Sequence, residues 1–376
     1  MRIGLNLLGL RAGGIGGGSI YLEEMVRRLV ADNQHEVTLF IASDPPSEIQ
    51  ELSRDVKVVQ IGKGDYSERR RMLLELSALG REVGRQDLDI LHTFGGYGVP
   101  IRGNRTKQIV TSYDLQDRHF PEYFTRSRQL KRRLAFAFGD RYVTRYLAIS
   151  EFTRRDLVTL AGIQSSRIEV TPLGVDVPDI ASLCESAVLT TASWYGSPYI
   201  IYPATYFPHK NHLTLLDSMV IIRNEGVQPP TLVLTGVGTD DQMLRSEIIS
   251  RGLAETVHTL GWLSRDDLYL AMARATLLVF PSRFEGFGLP LIEAMRLGVP
   301  VVGADAGSIP EVLGTAGVLF DPSSASQLAE LIMRLMADEH ERNALSVRGL
   351  ERSAFFTWDS TYALTIRSYR EVAQLA

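Results

Sequence analysis

The chain has 376 residues, of which 45% are hydrophobic and 22% are charged, and its formal net charge is −4. Its length exceeds that of one ordinary domain, and its slightly acidic balance argues against a protein built chiefly to coat nucleic acid. The single cysteine, Cys184, excludes an internal disulfide and a cysteine-based metal cluster, and no run of eighteen apolar residues is present to span a membrane.

The first predicted element is a strand at the amino terminus. The segment MRIGLNLLGL has one arginine and a shorter apolar stretch than a secretory signal, and it runs into the glycines of RAGGIGGG. We therefore expect a cytoplasmic protein whose chain opens with a strand.

Short apolar runs alternate with helical patterns along the whole chain. In SIYLEEMVRRLVAD, one helical face is apolar and consists of Tyr21, Leu22, Met25, Val26 and Leu29. The predicted strands are RIGLNLLG, EVTLFIA, VKVVQIG, DILHTF, QIVTSYD and YLAIS, then YIIYPAT, TLVLTGVG, TVHTLGW, TLLVFPS and PVVGAD. Continuously apolar strands are typical of parallel sheets covered on both faces. The pattern predicts an α/β fold of two doubly wound, Rossmann-like domains facing each other across a cleft.

The break between the predicted domains falls within residues 172 to 198, which are rich in Pro, Ser, Thr and Ala and lack periodicity. The first domain is predicted over 1–180 and the second over 190–356. An amphipathic helix over about 357–376 is expected to pack back on the first domain. Ligands of open parallel sheets bind beyond the carboxyl ends of the strands, so candidate residues are sought there.

Five glycines lie between the first predicted strand and the first helix: Gly13, Gly14, Gly16, Gly17 and Gly18. Such an open turn lets amides at a helix N-terminus face a phosphate. A flexible surface loop or a dinucleotide fingerprint would look similar, and the next strand ends at Asp44, as that fingerprint requires. An oxidoreductase therefore stays open for this turn, although it does not explain the second half of the chain.

Polar residues follow two further strands of the first half. Tyr113 and Asp114 stand at a strand end in TSYDLQDRHF, and His92 is predicted at the exit of the strand DILHTF. A lone histidine in such a place is structural as often as functional.

Residues 118–145 form a basic segment interleaved with aromatic and aliphatic side chains. Its basic residues include Arg126, Arg128, Lys131, Arg132, Arg133 and Arg141. The segment could be a peripheral membrane contact, or it could bind an anionic lipid diphosphate without touching the bilayer. A solvated basic helix face is the equally weighted alternative.

The stretch FEGFGLPLIEA follows the predicted strand TLLVFPS. This places Glu285 in the loop at the carboxyl edge of the second sheet, where Gly286 and Gly288 allow close backbone approach. Pro290 suits a first helical position, and Glu293 lies about one turn into that helix. Two carboxylates so placed suit two separate sets of sugar hydroxyls. The alternative is a strand–loop–helix corner with two surface glutamates.

Glu285, seven intervening residues and Glu293 resemble the E-x7-E signature of retaining glycosyltransferases of family 4, which have the GT-B fold. The resemblance continues through LGVPVVGADAGSIPEVLGTAGVLFDP, and upstream through PLGVD, PATYFPHKN, LVLTGVG and LGWLSRDDL. It covers nearly the whole chain. The segments ATYFPHKN and YDLQDRHFPEYF look most like bacterial polysaccharide mannosyltransferases.

The resemblance implies a donor site. Glu285 would hold hydroxyls of the transferred sugar, Lys210 would neutralise the diphosphate, and Glu293 would hold the ribose. The other residues that it assigns to the donor are Gly16, Gly17, Gly18, Gly236, Leu263, Gly286, Phe287, Gly288 and Leu289. Among these, Gly236 would let the phosphate approach, and the backbone near Leu263 would border the base. From the residues alone, Lys210 could also be an ordinary helix-start lysine.

Two departures from the family pattern affect these roles. The family commonly has an arginine shortly before the lysine, where this chain has Ala204 and His209. The family also often has His-Asp where this chain has Tyr113 and Asp114, which are predicted with His92 on the acceptor side. Tyrosine is a poor proton carrier near neutral pH.

The predicted function is transfer of a hexose, with retention, from a nucleoside-diphosphate sugar to a hydroxyl of a glycan or lipid-linked acceptor. GDP-mannose is the favoured donor, and cell-surface polysaccharide synthesis at the inner face of the membrane is the expected setting. Neither a metal nor a cofactor is expected. A nucleotide-sugar epimerase on the same fold would release no nucleoside diphosphate in response to an acceptor. A non-catalytic partner subunit would not turn over the donor at all.

Overall fold

The computed structural model describes residues 1–9, 17–42, 56–62, 68–101, 105–184, 186–192 and 194–375. It forms two compact units. The first contains Met1–Leu173 together with Trp358–Ala376, and the second contains Gly174–Thr357. The chain thus leaves the first unit at the start of the predicted break and returns to it for its last helix.

Each unit is built on one sheet in which every recorded strand pairing is parallel. The strands of the first unit are β1 (Arg2–Asn6), β2 (Glu36–Ile41), β3 (Lys57–Gln60), β4 (Ile90–Phe94), β5 (Lys107–Ser112), β6 (Arg145–Ala148) and β7 (Ile168–Val170). Those of the second are β8 (Tyr199–Pro203), β9 (Thr231–Thr235), β10 (Val257–Thr259), β11 (Leu277–Phe280), β12 (Val301–Ala304) and β13 (Val318–Phe320).

The helices connect successive strands. They are α1 (Gly17–Asp32), α2 (Glu68–Leu74), α3 (Gly80–Arg85), α4 (Gln116–His119), α5 (Arg126–Asp140), α6 (Glu151–Thr159), α7 (Ala187–Thr190), α8 (His212–Asn224), α9 (Gln242–Ser250), α10 (Arg265–Ala273), α11 (Leu289–Arg296), α12 (Ile309–Leu313), α13 (Ala325–Ala337), α14 (Glu339–Ser353) and α15 (Trp358–Ala373). A π-helical turn over Glu75–Leu79 joins α2 to α3, and a 3-10 turn over Pro208–Lys210 precedes α8.

The strand orders confirm two doubly wound sheets. The first sheet runs β3-β2-β1-β4-β5-β6-β7, and the second runs β10-β9-β8-β11-β12-β13. In each sheet the first strand of the unit lies inside, and the chain winds outward from it in both directions. In α1, the predicted apolar face is the buried face, made of Tyr21, Leu22, Met25, Val26 and Leu29. The sequence pattern therefore identifies the buried face of this helix correctly.

All eleven predicted strands are present, whereas β7 and β13 were not predicted. Each of these two has three residues, IEV and VLF, so neither forms an apolar run long enough to stand out from the flanking loops. Both are edge strands of their sheets. The error therefore shortened each predicted sheet by one strand without changing its winding.

Helix α15 packs on β4, β5 and β6 of the first unit. Trp358 is buried and stacks on Tyr21 with ring centroids 6.2 Å apart, and the Thr361 hydroxyl donates to the carbonyl oxygen of Pro172 at 2.6 Å. The last helix is thus an integral part of the first unit, although the second unit separates the two in sequence.

Across the described part of the chain, no helix is both long enough and apolar enough to cross a membrane.

Candidate functional site

Lys210 and Glu285 meet at the carboxyl edge of the second sheet. Lys210 closes the turn after β8, and Glu285 lies in the loop after β11; these two strands are neighbours in the sheet. The Lys210 ammonium donates to Oε1 of Glu285 at 2.6 Å, although the two residues are 75 positions apart. Their side chains are 18% and 12% exposed. The fold therefore pairs the two residues to which the family resemblance gives roles toward the diphosphate and the sugar.

The backbone around Lys210 is fixed by polar side chains that the sequence reading did not single out. The buried Tyr202 hydroxyl donates to the Lys210 carbonyl oxygen at 2.8 Å. Asn211 adopts the left-handed region with φ of 60°, and its amide donates to the carbonyl oxygens of Pro281 (3.0 Å) and Pro322 (2.9 Å). Asparagine tolerates this conformation better than most residues. The turn bearing Lys210 is thus tied to the chain that follows β11 and β13.

The loop bearing Glu285 is held by the turn after β12. The Ser308 amide and hydroxyl donate to the Glu285 carbonyl oxygen at 3.2 and 3.1 Å, and the hydroxyl also reaches the Phe287 carbonyl oxygen at 2.9 Å. Gly307 has φ of 60°, and a Cβ there would lie 2.8 Å from the backbone nitrogen and oxygen of Glu285. Only glycine fits this contact. In the sequence, the Gly307–Ser308 pair of ADAGS is the feature from which this contact could have been predicted.

The residues between the two glutamates present backbone to the site and bury their large side chains. Phe287 packs edge-on against Phe356 with centroids 5.8 Å apart, and Leu289 is also buried. Gly288 caps α11 with φ of 93°, a conformation that glycine adopts without strain. Together with Gly286, this segment leaves main-chain groups as the predicted contacts to a donor sugar.

Glu293 lies one turn into α11 and is 6% exposed. The Tyr269 hydroxyl donates to Oε1 of Glu293 at 3.1 Å and lies 3.3 Å from the carbonyl oxygen of Asp176. Arg265 in turn donates to the Tyr269 oxygen at 3.2 Å. Burial raises the pKa of Glu293, while Arg265 and the Tyr269 hydrogen bond oppose that rise. The carboxylate is oriented by Tyr269 and is costly to keep charged without additional donors, such as ribose hydroxyls.

Gly236 and Leu263 lie beyond the ends of β9 and β10. Gly236 has φ of 127°, and a Cβ there would lie 2.6 Å from the carbonyl of Ala204 and 2.9 Å from the Thr205 nitrogen. The close approach that this glycine allows is thus to neighbouring backbone; approach of a phosphate stays a prediction. The side chain of Leu263 is buried just before α10, and the bordering of a base by its backbone likewise stays a prediction.

His209 directly precedes Lys210 and occupies one of the two positions at which the family's arginine was sought. Burial, together with the positive charge of Lys210, lowers the pKa of His209 to about 4, so its ring is neutral at pH 7. Ala204 is buried and brings no charge. Among positions 204, 209 and 210, the cationic residue is therefore Lys210.

In the first unit, Tyr113 packs against the start of α1. Its hydroxyl donates to the Gly18 carbonyl oxygen at 3.3 Å, and a Cβ at Gly95 would overlap its ring. Burial raises the pKa of Tyr113 well above its ordinary value, which keeps the hydroxyl protonated at neutral pH. Gly17 is the first residue of α1, whereas Gly13, Gly14 and Gly16 lie outside the described residues. Asp114 is exposed, and its carboxylate accepts from the Gln116 amide at 3.0 Å.

His92 is not at a strand exit, as the sequence reading placed it, but in the middle of β4. Its ring has no exposed surface, and its two nitrogens lie 2.6 Å from the Tyr369 hydroxyl and 2.8 Å from the Thr111 hydroxyl. Burial lowers the pKa of His92 to about 3. The strand runs on to Phe94, so His92 points into the core, where it binds α15 to the sheet.

Two family models match the chain. "Glycosyltransferase Family 4" matches residues 15–178, and "Glycosyl transferases group 1" matches residues 193–352. Among curated proteins, the chain is 29% identical over 367 residues to the O-antigen chain mannosyltransferase B of Escherichia coli, covering 93% of this chain and 94% of that protein. It is also 29% identical to the MMP alpha-(1->4)-mannosyltransferase of Mycolicibacterium hassiacum, over 63% of this chain and 56% of that one.

Solved structures share the fold along the whole chain. Sucrose-phosphate synthase from Thermosynechococcus elongatus superposes with a TM-score of 0.78 and 19% identity, covering 99% of this chain and 98% of that one. Anabaena HepE in complex with UDP and glucose superposes with a TM-score of 0.74 and 18% identity, covering 99% of this chain and all of that one. At such identities the likeness establishes the architecture and not the substrate.

Proposed function

Because the chain belongs to glycosyltransferase family 4 and has the GT-B fold, we propose that it transfers a hexose, with retention, from a nucleoside-diphosphate sugar to an acceptor hydroxyl. The observation that carries this proposal is the contact between Lys210 and Glu285 at the strand exits. A cation for the leaving diphosphate and a carboxylate for the sugar hydroxyls then lie next to each other, beside the proposed position of the bond to be broken.

The proposed reaction has two parts: cleavage of the bond between sugar and diphosphate, and attack of the acceptor hydroxyl on the sugar. The bond between the anomeric carbon and the diphosphate oxygen breaks, and its electron pair leaves with the diphosphate. Lys210 stabilises the negative charge that develops there, and Glu285 holds the hydroxyls of the sugar as its ring becomes positive. The acceptor hydroxyl then attacks from the face that the diphosphate leaves. Its proton passes to a leaving diphosphate oxygen, so that no side-chain base and no covalent enzyme intermediate is needed.

Within this proposal the donor is GDP-mannose. Relatives named as mannosyltransferases support mannose, and one relative from Mycobacterium tuberculosis is named as GDP-mannose-dependent. Glu293 would accept hydrogen bonds from the ribose in addition to the one that it accepts from Tyr269. Lys210 would supply the positive charge that neutralises the leaving diphosphate, so we propose a reaction without metal or cofactor.

The proposed acceptor is a glycan or lipid-linked sugar of cell-surface polysaccharide synthesis. The relative named for the O-antigen chain supports this class. Helix α5 supports a position at the inner face of the membrane, because Leu130, Leu134 and Phe138 recur every four residues along one face and are 58%, 60% and 39% exposed. Exposed arginines flank that face: Arg126, Arg133 and Arg141. Apolar side chains with basic neighbours are typical of helices that lie on anionic membranes.

A panel of nucleotide sugars tests the donor. We expect calorimetric binding of GDP-mannose to the wild-type protein and loss of that binding in Glu293→Ala, whereas Glu330→Ala, an exposed helical glutamate of the same unit, binds as wild type. Release of GDP should then depend on an added bacterial lipid extract, and the anomeric coupling in the NMR spectrum of the product should report retention. A folded protein that binds no nucleotide sugar would contradict the proposal and favour a non-catalytic subunit.

The membrane contact predicts vesicle binding through the exposed face of α5. The double variant Leu130→Ser with Leu134→Ser is expected to bind phosphatidylglycerol vesicles at least about tenfold more weakly than the wild-type protein. The reason is that each leucine side chain that becomes buried in the membrane contributes about 1.5–3 kcal/mol to the free energy of binding. Co-sedimentation measures the change. Val158→Ser with Leu160→Ser is the control, since both residues are exposed at the end of another helix of the same unit. Equal binding by the two double variants would exclude this face as the contact.

A further inference from the structure

A cavity of about 550 Å³ in the first unit has no role in the donor chemistry. It is lined by α2, by the π-helical turn and by the first half of α5. Four of its lining side chains are cationic and one is acidic: Arg71, Arg128, Lys131, Arg132 and Glu75. The hydroxyls of Thr125 and Ser127 complete a lining of hydrogen-bond donors. Such a lining is complementary to an anion.

The guanidinium groups are held near one another before any ligand arrives. Arg128 and Arg132 both lie over the ring of Phe124, with their central carbons 5.6 and 5.3 Å from its centroid. The nearest carboxylate oxygen of Asp117 is 3.7 Å from Nε of Arg132. Stacking on an aromatic ring restricts the rotamers of arginine, and a preorganised planar fork suits the bidentate recognition of phosphate.

Arg71 completes the cationic side of the cavity. Its Nε is buried and makes no hydrogen bond within the described ranges, and it lies 3.9 Å from Oε1 of Glu75. Glu75 is itself buried, and that burial raises its pKa, whereas the charge of Arg71 and a hydrogen bond from Asn6 lower it. Arg71 therefore adds to the lining a cation whose ion pair with Glu75, at 3.9 Å, leaves its side chain 29% exposed.

This cavity adjoins a second one of about 300 Å³ that contains the predicted acceptor-side residues. Tyr113 and Asp114 line the smaller cavity, and Arg71, Tyr97 and Arg132 line both. The shared residues place the larger cavity next to the one that Tyr113 and Asp114 line.

We propose that the larger cavity binds a phosphate or diphosphate ester, and, resting on the proposed transferase function, that this ester belongs to the acceptor. The acceptor is then a sugar linked through phosphate to a carrier, with its reactive hydroxyl toward Tyr113 and its phosphate between α2 and α5. The volume of the larger cavity, about 550 Å³, lies within the range of small-molecule sites. It can accommodate a diphosphate with the first atoms of its organic group.

Titration with inorganic diphosphate tests the cavity directly. The wild-type protein offers two sites for this probe, one dependent on Lys210 and one in the cavity. In a Lys210→Met background, Arg128→Gln with Lys131→Gln is expected to weaken the remaining calorimetric signal at least about tenfold, as expected for losing charge-assisted hydrogen bonds. The control double variant, Arg81→Gln with Arg155→Gln, removes the same charge from exposed positions of the same unit and should leave the affinity unchanged.

Vesicles distinguish a free ester from a lipid headgroup. If the cavity binds a lipid-borne phosphate, Arg128→Gln with Lys131→Gln also weakens co-sedimentation with phosphatidylglycerol vesicles more than the control variant does. If the cavity binds a soluble ester, the substitutions weaken the binding of diphosphate and leave co-sedimentation equal to that of the control variant. Equal diphosphate affinity in the cavity and control variants would overturn the proposal. Binding of GDP-mannose by the cavity variant, measured separately, shows whether the donor function stands independently of that result.

Discussion

Replacement of Lys210 by methionine is expected to lower kcat for hexosyl transfer by about 10³-fold, at the upper end of the range for one preorganised transition-state donor. Methionine keeps the length of the side chain but removes the ammonium group that pairs with Glu285. His209 cannot replace it, because that ring is neutral at pH 7. Steady-state kinetics with saturating donor measure the loss.

In that experiment, the effect of Lys210→Met on protein stability has to be distinguished from its effect on catalysis. Without Lys210, the Glu285 carboxylate, 12% exposed, loses its ion-pair partner, and we expect the free energy of unfolding to fall by about 1–3 kcal/mol. Lys210→Arg restores a cation with different geometry and should recover part of kcat and most of the stability. A Lys210→Met protein that is folded and turns over within about threefold of wild type would show that the leaving group is stabilised elsewhere.

Glu285→Gln is expected to lower kcat by about 10²-fold, because glutamine keeps the shape but loses the charge-assisted hydrogen bonds to the sugar. The loop itself should be unaffected, since Ser308 holds it through backbone oxygens and not through the carboxylate. Glu330→Gln is the matched control. Donor affinity should change less than kcat, because the interaction strengthens as the sugar ring becomes positive.

The double variant shows whether the two residues act as a unit. If Lys210 and Glu285 orient each other across their 2.6 Å contact, Lys210→Met with Glu285→Gln should be about as slow as Lys210→Met alone. Independent roles predict instead a loss near the product of the two single effects. Kinetics of the four proteins under one set of conditions complete this cycle.

Much of the architecture could be predicted because parallel strands buried on both faces are continuous apolar runs. The two strands that escaped prediction are three residues long and lie at sheet edges, where a short pairing suffices. The location of Glu285 could also be predicted, because strand exits in such sheets gather functional residues.

Contacts between distant segments could not be predicted in the same way. Lys210 meets Glu285 only because β8 is flanked by β11, which is not its successor in sequence. In the sequence pattern, Tyr269, which orients Glu293, is indistinguishable from the apolar residues of α10. His92 shows the opposite error: a polar residue near a strand end belongs to the interior, because its partners, Thr111 and Tyr369, come from elsewhere in the chain. Pairwise spacing along one segment carries no information on such partners.

The return of α15 to the first unit has a consequence for biosynthesis. The ribosome completes residues 174–357 before it makes the helix that contributes Trp358 and Tyr369 to the earlier unit. Until then, His92 lacks its Tyr369 partner, and Tyr21 lacks the ring that stacks on it. The segment made first is therefore the one whose core is finished last, whereas the unit that carries Lys210 and Glu285 can complete its core during elongation.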